Sequence, residues 1–187
     1  TAPVFVMLMS LLCFGEAFTR TKALALLLTF SGCACVTGVF GSSLTLTLSG
    51  LLYGLGSGFG YALYSIFGKY AVRKYSSLTI TAYTFYLALI ASWPLADFDY
   101  QRLVAIDLQA IGSALGLGLL SAVLPYLLYT KGLEQIEAGQ ASILATIEPF
   151  VAAAVGVIFF AEALTPVKII GMGLIFAAIA VLNIRRA

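Results

Sequence analysis

Glu148 stands in the run ASILATIEPFVAAAVGVIFF, where almost nothing else is polar, and Pro149 follows it directly. If this run is a helix crossing lipid, Glu148 is the eleventh of the 24 residues from Ala138 to Ala161, near the middle of the bilayer. A charge at that depth costs roughly 2.5–3.5 kcal/mol on insertion scales, so the side chain needs a polar cavity or a partner. In a cavity the carboxylate binds a substrate amine or carries a coupling proton. Against a neighbouring helix it is a structural hydrogen-bond acceptor, and the residue alone leaves both readings open. Pro149 removes the helical donor for the Ala145 carbonyl, and Pro125 does the same for Ser121. Lipid supplies no replacement donor, so a kink is expected at each proline.

Other side chains extend the set. Tyr53, Tyr61 and Tyr64 recur at helical spacing on one run, and Tyr126 and Tyr129 on another. A phenol stacks on a substrate and hydrogen-bonds it, which makes Tyr61, Tyr64 and Tyr126 pathway candidates beside the commoner interfacial-anchor reading. Gln140, toward one end of the Glu148 run, is a further candidate. Glu134 and Glu137 beside Lys131 read as a solvated loop face. Gly50, Gly54 and Gly58 with Gly56 and Gly60, and Gly112 with Gly116, read as rows for close helix packing. The stretch GLGSGFG is no nucleotide loop, because it lies inside an apolar run instead of after a strand.

These residues argue against an enzyme. The chain has no histidine and so no H-E-x-x-H zinc pair. It has no G-x-S-x-G elbow, and Asp97, Asp99 and Asp107 cluster in one loop instead of facing one another in the membrane. Cys13, Cys33 and Cys35, an odd number within the first two apolar runs, make neither a disulfide framework nor a zinc site and read as small packing residues. No cofactor, metal or nucleic-acid partner is expected.

The elements that position these groups follow from composition. Apolar residues are 61% of the 187 and charged residues 10%, against roughly 45–50% and 25% in soluble domains. Lipid is the solvent such a surface fits. About 20 apolar residues span the hydrocarbon core as a helix, and six whole runs qualify: 23–40, 48–68, 76–96, 108–130, 138–161 and 167–184. A seventh, 1–15, is short and is expected to be a span cut at its start. Nothing basic precedes it, so no cleavable signal peptide is expected. The expectation is an all-α integral membrane protein of seven transmembrane helices. Assigning alternate loops to opposite sides puts Arg20, Lys22, Lys69, Arg73, Lys74, Lys131, Arg185 and Arg186 on one side and only Arg102 and Lys168 on the other. The richer side is cytoplasmic by the positive-inside rule, and the C-terminus with it.

The chain also repeats. Pro3, Phe14, Glu16, Thr19 and Lys22 recur as Pro149, Phe160, Glu162, Thr165 and Lys168 at one offset of 146, with GEAFTRTK answering AEALTPVK. In each copy a span, a short turn containing glutamate and a second span follow in order. Five spans separate the two turns, so the copies are inverted in the membrane. Inverted repeats serve alternating access to a midplane site in secondary transporters. A channel or non-transporting scaffold is the weaker alternative, and an intramembrane enzyme weaker still.

The segments TAPVFVMLMSLLCFGEAFTRTKALALLL and ASILATIEPFVAAAVGVIFFAEALTPVKIIGMGLIFAAIAVL resemble the repeat ends of the EamA family of the drug/metabolite transporter superfamily. GLLYGLGSGFGYALYSIFGKYAVRK resembles the opening helix of its second repeat, and LPYLLYTKGLEQIEAGQASIL the junction of helices eight and nine. The resemblance implies a ten-helix transporter of two five-helix inverted repeats in the cytoplasmic membrane, exporting small metabolites, amino acids or drugs. Residues 1–41 would then be the end of the first repeat and 42–187 the second, with helices one to three absent.

Overall fold

The computed structural model describes residues 2–37, 47–95 and 107–183, and all regular structure within them is helical. The order is α1 (Ala2–Phe14), α2 (Arg20–Val36), α3 (Leu48–Ala71) and α4 (Ser77–Ser92), the last closing in a 3₁₀ turn, Trp93–Leu95. Then come α5 (Leu108–Gly116), a π-helical segment (Leu117–Val123), α6 (Leu124–Gln135), α7 (Ala138–Leu144), α8 (Ile147–Phe160) and α9 (Pro166–Asn183). Because α5 runs through the π segment into α6, and α7 continues into α8, these elements make seven rods.

Three rods are long and apolar enough to cross a membrane: Leu108–Gln135, Ala138–Phe160 and Pro166–Asn183. α1 and α4 are shorter apolar helices, and α2 has 17 residues. α3 has the length, at 24 residues, but its glycines, serines and tyrosines dilute its apolar character. Seven spans of bilayer length are therefore more than the described helices display. The expected runs 23–40 and 76–96 end in 38–46 and 96–106, which lie outside the described residues, as do Asp97, Asp99, Arg102, Arg185 and Arg186. Large apolar side chains point outward on many elements, among them Leu12, Leu108, Phe159 and Phe160, each more than 70% exposed. That is the surface a lipid-facing helix needs.

The chain divides into two compact units, 1–66 with 136–187, and 67–135. In the first, α2 and α9 pack along their lengths. A Cβ at Gly32 would lie 2.8 Å from the Gly171 carbonyl oxygen and 3.0 Å from the Ile175 nitrogen, and one at Gly171 would lie 2.8 Å from the Gly32 carbonyl oxygen. Ala25 and Ala178 are fully buried in one cluster with Met7, Ile143 and Leu182. Contacts thus run in opposite order along the two helices, which are antiparallel. The 146-residue offset carries Gly32 onto Ala178 and Ala25 onto Gly171, so exchanging the copies maps the pairing onto itself. A second cluster, Val36, Ala153 and Ile175, adds α8 to the pair.

The corners leading into α2 and α9 share their main backbone features. Gly15 (φ 66°) and Ala161 (φ 52°) both take the left-handed conformation that ends a helix. The next N–H reaches back across the last turn in each, Glu16 to Ser10 O at 3.4 Å and Glu162 to Gly156 O at 3.1 Å. Thr19 and Thr165 then cap the following helices, accepting from Lys22 N and Lys168 N, both at 3.3 Å.

In the second unit α4 packs on α6, with Phe85 edge-on to Tyr126 at 5.3 Å between ring centres. Lys69 Nζ donates to the Leu133 carbonyl at 2.6 Å, a cation at the carbonyl end of α6. Arg73 lies over the Tyr70 ring. In the glycine rows expected to pack helices, Gly58 is buried, whereas a Cβ at Gly54, Gly56, Gly60, Gly112 or Gly116 would meet open space among the described residues. Close approach falls instead at Gly32 and Gly171, which no four-residue glycine row marks.

Gly32→Ala is expected to destabilise the protein by about 1–3 kcal/mol, because its Cβ meets backbone that must move. Gly54→Ala is expected to be neutral or slightly stabilising, and thermal unfolding of both variants in detergent checks the contrast.

Candidate functional site

The rod expected to carry Glu148 at mid-span is broken one turn earlier. α7 ends at Leu144, Ala145 and Thr146 form a turn, and α8 restarts at Ile147. Thr146 N donates to Ile143 O and Glu148 N to Ala145 O, both at 3.1 Å. The Ala145 carbonyl expected to lack a donor therefore has one. Pro149 sits in the first turn of α8, where a helix needs no N–H from it. Pro125 likewise follows a widened turn, with Leu124 N donating to Leu119 O. A π segment next to a proline lets the backbone find donors at shifted spacing. Both prolines mark breaks in the helical ladder, and each break falls on the N-terminal side of its proline.

Glu148 thereby becomes an exposed first-turn residue of α8, at the helix end that favours negative charge. It lines a cavity of about 360 Å³ within the first unit. α1 supplies Ala2 and Pro3, and α8 supplies Glu148 and Pro149. These are the two repeat-related pairs, so equivalent positions of both copies meet on one cavity, with a carboxylate on one side and a methyl group on the other. α2 adds Thr29, Phe30 and Cys33, while α3 adds Ser57, Gly58 and Tyr61. From α7 and the turn come Ser142 and Thr146.

Two of the lining hydroxyls bond to their own helices. Ser142 Oγ donates to Gly139 O at 2.8 Å and Thr146 Oγ1 to Ile143 O at 2.5 Å. Thr29 differs, being 2% exposed with an Oγ1 that has no hydrogen-bond partner among the described residues. A carboxylate and a buried hydroxyl in a largely apolar chamber suit a small ligand with a cationic group and a further polar atom.

A smaller cavity, about 200 Å³, lies at the opposite end of α7, lined by Thr19, Lys22, Glu137, Gln140 and Leu182 among others. Lys22, 6% exposed at its side chain, reaches Glu137 Oε2 at 2.5 Å and donates to Ala17 O at 2.9 Å. Glu16 accepts from Ala138 N at 3.0 Å with one oxygen and from Gly139 N at 3.2 Å with the other. Its carboxylate thus satisfies two first-turn N–H groups of α7. A Cβ at Gly139 would stand 2.8 Å from Met7 Sδ and 3.3 Å from Glu16 Oε2, so these side chains would have to shift. Glu137, 45% exposed at its side chain, both faces solvent and pairs with Lys22. Glu134 is exposed and accepts a hydrogen bond from the Ser77 hydroxyl in the second unit. Both acids have partners far along the chain that loop composition does not reveal.

Of the residues expected from sequence, Glu148, Pro149 and Tyr61 share the larger cavity and Gln140 lines the smaller one. Tyr64 is half-buried on α3 and belongs to neither lining. Tyr126 and Pro125 lie in the second unit, where Tyr126 packs on Phe85. Sequence reasoning missed Thr29 and the Lys22–Glu137 pair. Thr29 carries a usable signal, a polar atom inside LALLLTF, while the position of Lys22 at a run end signals sidedness alone. Among the described residues no cluster of histidine, cysteine or acid side chains is arranged to hold a metal ion.

Residues 48–184 match the EamA-like transporter family. Two proteins of Archaeoglobus fulgidus, each named as a transporter, are 30% and 32% identical over 183 and 186 residues, covering 95% of this chain and 63% and 62% of their own lengths. The threonine/homoserine exporter RhtA of Escherichia coli is 30% identical over 131 residues, 70% of this chain and 44% of its own. The chain thus spans about three fifths of the length of the two archaeal relatives. No solved structure matches it.

Glu16→Ala is expected to cost about 1.5–3 kcal/mol, since two N–H groups lose a charged acceptor. Lys131→Ala, at an exposed position, is expected to stay within about 0.5 kcal/mol of the parent. Denaturant unfolding in mild detergent compares the two.

Proposed function

We propose, on the premise that this chain belongs to the EamA-like transporter family, that it is most of a secondary transporter exporting small amine-bearing metabolites, amino acids among them, across the cytoplasmic membrane. α1 and α2 are the last two helices of one five-helix repeat, within 1–41, and 42–187 is the second repeat of a ten-helix protein. The relatives' greater length supports this reading, as do the duplicated corners and the α2–α9 pairing that maps onto itself. The observation that carries it is the cavity on which Ala2 and Pro3 meet their counterparts Glu148 and Pro149. A site shared by inverted repeats is the one that rocking of the halves exposes to either side in turn.

In this reading Glu148 takes the substrate's ammonium group or, between substrates, a proton, so that the carboxylate is neutralised in each crossing state. Thr29 offers a buried hydroxyl to a second polar atom of the substrate, and Tyr61 closes the wall with its ring. The basic residues Arg20, Lys22, Lys69, Arg73, Lys74 and Lys131 argue for a cytoplasmic α1–α2 corner and a cytoplasmic C-terminus, with Lys168 on the far side. The similarity to a threonine/homoserine exporter favours amino acids among the family's cargoes.

Efflux from a sensitised bacterial host, measured across a panel of amino acids and toxic analogues, tests the proposal. The chain with its upstream helices restored is expected to export at least one of them. In that background Glu148→Gln is expected to lower export at least tenfold, the scale of a lost charged contact of about 1.4 kcal/mol or more. Export by Glu148→Gln at the parental rate and with the parental pH dependence would remove the carboxylate from the mechanism.

A further inference from the structure

The two corners agree in backbone but differ in what their glutamates do. Glu16 spends both oxygens on the first-turn N–H groups of Ala138 and Gly139. Glu162 occupies the same place in the second copy, after the same left-handed residue and with the same reach-back hydrogen bond. Its side chain is 53% exposed and, among the described residues, accepts from Lys168 Nζ at 2.8 Å. The carboxylate is held over the last turn of α8, where the first copy has Ser10: a Cβ at Gly156 would stand 2.9 Å from the Glu162 carboxyl. Lys22, the counterpart of Lys168, reaches past its own corner to Glu137, the residue just before Ala138. Each corner thus carries a carboxylate and an ammonium, and in the first copy both grip the start of a helix from the other copy.

We propose that Glu162 is a second helix clamp, whose two oxygens take backbone N–H groups at the start of the helix that α1 continues in the full-length protein. The repeat sets the register. Thr1 corresponds to Ile147, so the counterparts of Ala138 and Gly139 lie nine and eight residues before Thr1. Lys168 then turns from Glu162 toward the residue one place earlier still, the counterpart of Glu137, which Lys22 reaches. The occupant is the upstream part of the same rod because that is what Glu16 grips in the related copy. The inference rests on the reading that a first repeat precedes this chain, and it does not depend on transport.

The test is a cross-linking scan in the full-length protein, with Cys13, Cys33 and Cys35 replaced by alanine. Glu162→Cys is paired in turn with single cysteines placed from five to twelve residues before Thr1, and a short bifunctional thiol reagent is applied. Glu16→Cys with Ala138→Cys is the reference pair. Cross-linking is expected to peak eight or nine residues before Thr1, at the reference efficiency, and to fall by about tenfold three or more residues away, where the helix has advanced about 5 Å. A flat profile, a peak elsewhere or no product overturns the clamp. An export-negative protein that still cross-links in this register leaves the clamp standing and sinks only the transport proposal. An exporting protein that does not cross-link does the reverse.

Discussion

Two helices whose backbones touch must give up their side chains at the point of contact, and α2 and α9 do so at Gly32 and Gly171. In lipid no hydrophobic force drives helices together, so close van der Waals contact between small residues is what joins them. The contact also sets the rotation of α2. With Gly32 turned to α9, Thr29 and Cys33 on the neighbouring face line the cavity, and Cys33 packs against the Val36, Ala153 and Ile175 cluster as well. A residue larger than glycine at position 32 would push the helices apart and swing Thr29 away from its place opposite α8. The polar lining of the cavity therefore depends on a contact that contains no polar side chain.

Much of this was legible in the sequence because it rests on local rules. Continuous apolar runs predict helices, GEAFTRTK and AEALTPVK predict matching corners, and the threonine caps follow from residue type alone. Other features escaped because they are decided by neighbours. The break at Ala145–Thr146 and the π segment before Leu124 both lie beside prolines, yet the proline rule predicts an orphaned Ala145 carbonyl where the backbone instead rearranges to supply a donor. Most glycines of the rows on α3 and α5 meet open space among the described residues, while the two glycines in contact sit in no row. A spacing rule describes one helix, but close approach is a property of two.

The candidate site divides in the same way. Glu148 could be singled out because a carboxylate in an apolar run has a cost that demands an explanation. Lys22 and Glu137 sit at run ends, where charge costs little, so nothing in composition separates a solvated residue from a buried partner. The structure separates them: Lys22 is almost wholly enclosed between Ala17 O and Glu137. Such a pair is strongly disrupted if one member is lost, since the other keeps a charge with reduced access to water. The α1–α2 corner is thereby tied to the start of α7 twice, through Glu16 and through Lys22.

Duplication that preserves the backbone but not the side chains tells what each was kept for. The corners retain their left-handed residue, their reach-back hydrogen bond and their threonine cap in both copies, because each of these satisfies a backbone group that lipid cannot. On the cavity wall the proline is retained at 3 and 149, whereas the residue before it is alanine in one copy and glutamate in the other. Two facing carboxylates in a chamber of about 360 Å³ would raise each other's affinity for protons, and at least one would stay neutral. A single acid avoids that conflict and leaves the chamber with one anionic wall. The scaffold can thus be nearly two-fold while the side chains lining its cavity are not.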